Sequence, residues 1–139
     1  MKKLTTIIVI TFCSNVFGQN ASDAEKYFQK GIEKMVSKEF TSSVKYFTDA
    51  INLHPNFPEA FFNRGFVNSQ LDNYSQAIVD FSKAIELKPE YSKAFYNRGL
   101  AKYKLGDKLG AIADYNQAIE INPEYSEAYL NRGIAKYDF

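Results

Sequence analysis

Phe95-Tyr96-Asn97-Arg98-Gly99-Leu100-Ala101-Lys102-Tyr103 is one copy of a phrase that the chain writes three times. Its centre occurs as Asn63-Arg64-Gly65, Asn97-Arg98-Gly99 and Asn131-Arg132-Gly133, at intervals of 34 residues (97 − 63 = 131 − 97 = 34). Pro55, Pro89 and Pro123 keep the same interval, and so do Ala50, Ala84 and Ala118. Self-similarity at this period marks an array of helix-turn-helix units, because one hairpin cannot bury its apolar face without a neighbour. The predicted fold is therefore all-α. It is a solenoid of antiparallel helix pairs, with three full repeats plus a lone helix.

The unit around the phrase runs over 92–125, with Phe95 and Gly99 on a first helix and Leu105-Gly106-Asp107 at the turn. Ala111, Tyr115 and Ala118 lie on its second helix, which stops before Pro123. The preceding unit, 58–91, matches it nearly position for position, and Pro58 suits the first turn of a helix. Unit 23–57 is divergent, with Lys30-Gly31 and Ser43 where later units have Arg-Gly and Ala. Ser22 followed by Glu25 reads as a capping box opening that unit. Residues 126–139 supply the first helix of an incomplete fourth repeat.

The residue types fit this arrangement. Close packing of two helices needs small side chains, which Gly65, Gly99, Ala77, Ala84, Ala111 and Ala118 provide. Phe61, Phe95, Phe81 and Tyr115 are predicted to fill the wider gaps between units. Arg64 stands 16 residues before Asp80, and Arg98 the same distance before Asp114 (80 − 64 = 114 − 98 = 16). In a helical hairpin that spacing faces them across one unit, so Arg64–Asp80 and Arg98–Asp114 ion pairs are predicted. The alternative for these arginines is a ligand carboxylate. The first unit has Lys30 and Tyr46 at the same places and lacks both partners, and Arg132 has no matching Asp.

The N-terminus reads separately. Met1-Lys2-Lys3 is a basic segment, Leu4–Phe12 an apolar run containing Thr, and Val16-Phe17-Gly18 a candidate cleavage region. This is a secretory signal pattern over 1–18, followed by a short polar linker, 19–22. The predicted localisation is export, to the periplasm, cell envelope or medium. Contact with a membrane is expected only through an uncleaved signal segment. Cys13 is the one cysteine, so removal of the signal would leave no thiol. Removal of Lys2 and Lys3 would leave 15 basic (17 − 2) against 16 acidic residues. The whole chain carries +1, which argues against a nucleic-acid surface.

The phrase resembles the tetratricopeptide repeat (TPR). The family pattern of an aromatic, Leu-Gly, Tyr, Ala, Phe and Pro corresponds to Phe95, Arg98-Gly99, Tyr103 one residue late, Ala111, Tyr115 and Pro123. Arginine before the glycine is a departure. The resemblance implies a right-handed superhelical solenoid with a concave face, lined by the first helices, that holds a peptide or protein partner. It places there Phe62, Asn63 and Phe66, then Lys93, Tyr96, Asn97, Leu100 and Lys104, then Leu130, Asn131 and Ile134. Asn63, Asn97 and Asn131 would form a ladder of amides that pair with a peptide backbone, similar to that in the repeat domain of O-linked N-acetylglucosamine transferase. The alternative is that these amides bridge neighbouring units. The chaperone-adaptor subclass implies a carboxylate clamp, of which Asn63 and Lys93 match. Phe28, Ile32 and Asn97 occupy its other places, so that specificity is not expected.

Tyr129, Leu130, Ile134 and Tyr137 give the last helix an apolar face with nothing following to cover it, a candidate interface. The second reading of the chain is accordingly a self-associating scaffold, a homo-oligomer built through that helix, or a fragment of a longer envelope protein. An enzyme is not expected. The single histidine, His54, precedes Pro55 at a helix end, and no phosphate loop, nucleophile elbow or Cys/His cluster is present. No metal or other cofactor is called for.

Overall fold

The computed structural model describes residues 20–138. The expected signal segment, 1–18, and Cys13 lie outside the described residues. Helix α1 covers 20–36. It is followed by α2 (Phe40–Leu53), α3 (Pro58–Gln70), α4 (Tyr74–Leu87), α5 (Ser92–Lys104), α6 (Lys108–Ile121) and α7 (Ser126–Tyr137). No strand occurs among the described residues. Each helix packs on the next, and α3 touches α5, as α5 touches α7, from unit to unit. The architecture is the predicted solenoid of helix pairs. One boundary differs. Residues 20–22 are already helical, so Ser22 is an interior position and neither a linker residue nor a cap.

The hairpins close over glycine. Phe47, Phe81 and Tyr115 are the largest fully buried side chains. A Cβ added to Gly65 would lie 3.0 Å from Phe81 Cε1, and one on Gly99 2.8 Å from Tyr115 Cε1. The two rings thus fill the inside of their own hairpins, a correction to the expectation that they pack chiefly between units. The aromatic of the second helix reaches across to the first because no side chain stands in its way. In the divergent unit, Ser43 replaces alanine and donates its hydroxyl to the Gly31 carbonyl at 2.8 Å, which satisfies the buried oxygen.

Units join through small residues and aromatic plugs. Ala50, Ala60, Ala84 and Ala94 share a buried cluster with Phe61. The residues that precede α3, α5 and α7 are Phe57, Tyr91 and Tyr125, none of which caps its helix with a side-chain hydrogen bond. They pack instead on an aromatic of the helix pair before the helix they start: Phe57 on Phe28, Tyr91 on Phe62 and Tyr125 on Tyr96, at 4.8, 4.9 and 4.8 Å between ring centres. Each unit is thereby pinned to the one before it by an apolar contact at a helix start.

The turn inside each unit uses one left-handed residue, at Lys38, Asp72 and Gly106, with φ of 60°, 58° and 86°. These positions are equivalent in the repeat. Only the third has the residue that adopts this conformation without steric cost.

Candidate partner-binding groove

Both predicted ion pairs form. Arg64 donates from Nη2 and Nε to the two oxygens of Asp80 at 2.7 and 3.1 Å. Arg98 does the same to Asp114 at 2.6 and 2.9 Å. Asp80 is fully buried, and Asn68 donates to it at 3.1 Å. Lys102 stands at the equivalent place in the next unit and pairs with Asp114 at 2.8 Å. Each arginine also reaches backward, which the sequence reading missed. Arg64 Nη1 donates to Thr48 at 3.0 Å, Arg98 Nη1 to Ser82 at 3.0 Å and Arg132 Nη1 to Asn116 at 2.8 Å. The signal was present, since each acceptor lies 16 residues before its arginine. The guanidinium groups of Arg64 and Arg98 therefore rivet three helices and are not presented to a ligand. In the first unit Lys30 lies 5.9 Å from the centres of both the Tyr27 and Tyr46 rings, a cation–π contact in the place of the ion pair.

The three predicted asparagines share one orientation. Nδ2 of Asn63 donates to the Glu59 carbonyl at 2.8 Å, that of Asn97 to Lys93 at 2.8 Å, and that of Asn131 to Glu127 at 2.9 Å. Each amide is thus fixed by its own helix. Asn63 and Asn97 keep a carbonyl oxygen and one N–H for a ligand. Asn131 uses its second N–H to donate to the Tyr96 hydroxyl at 2.9 Å and so bridges two units. Burial, and secondarily the charge of Glu127, raise the Tyr96 pKa, while the Asn131 bond lowers it.

The aromatic members of the predicted groove are more deeply engaged than expected. Phe62 packs on Phe81 and Tyr91, and Tyr96 on Tyr115 and Tyr125. Their rings belong to the joints, because the helix starts of the following units need a partner there. What stays open is a cavity of about 220 Å³ between α3 and α5, lined by Phe66, Asn97, Leu100 and Lys104 together with Tyr74 and Ala101. It brings together four of the predicted site residues. Lys93 is exposed at the start of α5. A larger pocket, about 400 Å³, lies against Tyr27, Lys30 and Leu53 and takes in none of them. His54 packs on Phe57 at 5.5 Å between ring centres. No group of three His, Cys, Asp or Glu side chains that could hold a metal occurs among the described residues.

On α7, Leu130 is 65% and Tyr137 91% exposed, and Tyr129 and Ile134 are also open. Ala128 and Ala135 are buried on its opposite side.

Three family descriptions match overlapping stretches of the chain: a tetratricopeptide repeat over 46–79, a TPR repeat over 69–106 and a tetratricopeptide repeat over 92–125. Together they span 46–125, more than half of the 139 residues. Comparison with curated proteins gives no match. Among solved structures, the Arabidopsis OM64 TPR domain is similar, with a TM-score of 0.84 at 25% identity over 86% of this chain and 99% of that one. The first TPR domain of Spaghetti (RPAP3), bound to an HSP90 peptide SRMEEVD, has a TM-score of 0.83 at 23% identity, over 85% of this chain and 94% of that one. The TPR2B domain of yeast Sti1, in a complex with pHsp70, has 0.81 at 22% identity, over 86% of this chain and all (100%) of that one. The internal 34-residue period, the glycine-closed hairpins and these matches agree, and the chain belongs to the tetratricopeptide repeat family.

Proposed function

We propose that the chain is a non-catalytic protein-interaction module that holds an extended peptide or protein segment along the face lined by α3, α5 and α7. The observation that carries this reading is the open cavity between α3 and α5, where the Asn97 amide stands beside Phe66, Leu100 and the Lys104 ammonium. An apolar side chain of the ligand enters the cavity, and its backbone pairs with the Asn97 and Asn63 amides. Each such bond contributes roughly 0.5–1.5 kcal/mol. Domains of similar fold are known bound to an HSP90 peptide, in RPAP3, and in a complex with pHsp70, in Sti1. That specificity is not carried over, because Phe28 packs on Phe47 and Phe57 where a clamp would need a lysine.

Panning a random-peptide library against the chain tests the reading. Selected peptides should bind the wild type and lose about tenfold affinity with Asn97→Ala, and more with Leu100→Glu added. Peptides indifferent to both changes would exclude this groove. We further propose export. It is supported by the pattern at 1–18, and N-terminal sequencing of the protein recovered from the cell envelope would find residue 19 at the start.

A further inference from the structure

The face of α7 turned away from α6 repeats a surface that is covered twice upstream. Phe81 and Tyr115 overlie Gly65 and Gly99, whereas a Cβ added at Gly133 would meet nothing within 4 Å. Arg64 and Arg98 each grip a carboxylate through two bonds. Among the described residues Arg132 bonds Asn116 and stacks on Tyr129 at 5.2 Å, and it meets no carboxylate. Leu130 and Ile134 occupy the places of Tyr96, which packs on the Tyr115 ring of the following helix, and Leu100, which packs against the cluster of Ala111, Tyr115 and Ala135.

The two upstream occupants define what fits. α4 brings Ala77, Asp80, Phe81 and Ala84, and α6 brings Ala111, Asp114, Tyr115 and Ala118. Both present Ala-x-x-Asp-aromatic-x-x-Ala. The ring lies over the glycine, the aspartate meets the arginine, and the alanines permit close approach. We propose that the exposed face of α7 docks an amphipathic helix of a partner protein carrying this pattern, with its aspartate on Arg132 and its ring over Gly133. None of the helices within residues 20–138 is free to serve as it. α4 and α6 are engaged in their own hairpins, α2 has Tyr46 where the aspartate is needed, and residues 1–19 contain neither alanine nor aspartate. A second copy offers the same engaged helices. The proposal is independent of the groove between α3 and α5.

The probe is a labelled synthetic peptide with the sequence of residues 107–122, cross-linked between its exposed positions 113 and 117 to hold it helical. Titrated with the full chain, it should bind saturably at one site. Arg132→Ala in the chain, or Asp114→Asn in the peptide, should weaken binding at least about tenfold by breaking the charge pair. Gly133→Leu should abolish it by filling the slot, with circular dichroism confirming an intact fold, and Asn97→Ala should leave it unchanged. Sedimentation should find the free chain monomeric. Lack of saturable binding, or binding indifferent to Arg132→Ala and Gly133→Leu, overturns the proposal. So does a dimer that Gly133→Leu dissolves, since a second copy would then cover the face.

Discussion

Asp80 has no exposed surface, yet it carries a charge, and Arg64 is its ionic partner. A buried carboxylate left without its cation is costly, while an apolar pair of similar volume is tolerated. Arg64→Ala is therefore expected to cost roughly 3–5 kcal/mol in urea unfolding, and Arg64→Met with Asp80→Leu to recover most of that loss. Arg98→Ala should cost less, because Lys102 still pairs with Asp114. Equal losses from the two single changes would show that Lys102 does not share the charge. The left-handed turn residues make a second contrast. Lys38→Gly should raise stability by roughly 0.5–1 kcal/mol, and Gly106→Ala should lower it by about 1 kcal/mol, in the same assay. The pairs at 64–80 and 98–114 were legible in the sequence because a hairpin fixes which positions face each other. The backward bonds to Thr48, Ser82 and Asn116 share that 16-residue offset, but their acceptors differ in type and their closure depends on how one unit leans on the next.

Among the elements, α5 and α7 share one sequence pattern and differ in what covers them. On α5, a methyl group at Gly99 would meet both the Tyr115 ring and the Ala111 carbonyl, at 2.8 and 3.2 Å. Gly99→Ala should then destabilise by about 1–3 kcal/mol through overpacking. On α7, Gly133 stands in open space, and Gly133→Ala should stabilise by roughly 0.5–1 kcal/mol, as for any exposed helical glycine. Thermal unfolding of the two variants checks both signs at once. The aromatic helix starts are the other device at this scale. Phe57, Tyr91 and Tyr125 stand where a capping Ser or Asp is the ordinary choice, and they hold their helices by packing on the unit behind. Helical periodicity does not reveal this use, since the ring each one touches lies 29 residues earlier, two helices away (57 − 28 = 91 − 62 = 125 − 96 = 29).

The whole molecule is a row in which each unit touches only its neighbours, so its stability rests on the joints. Two of those joints contain phenols. Burial pushes the Tyr91 and Tyr125 pKa values up to about 12. An unfolded tyrosine ionises near about 10, so the folded state favours the neutral phenol. The stability that these groups contribute is present in full below about pH 10 and is lost as the pH climbs toward about 12. The urea midpoint should accordingly fall over that range, and Tyr91→Phe with Tyr125→Phe should flatten the fall. An alkaline decline of the same size in the double variant would place the sensitivity elsewhere.

The period, the helix pairs and the buried ion pairs were legible in the sequence alone, whereas the closure of each hairpin by an aromatic ring over a glycine was not. The first three follow from local periodicity and from the fixed offset between facing positions in a hairpin. Tertiary structure decided how the candidate groove is occupied. It turned the asparagine amides onto their own helices, drew Phe62 and Tyr96 into the joints, and left the space beside Phe66, Leu100 and Lys104 open. Those outcomes depend on the angle between successive units and on competition among side chains for the same joint. A repeated phrase specifies the position of each residue in its unit, and the neighbouring unit selects which of its contacts is made.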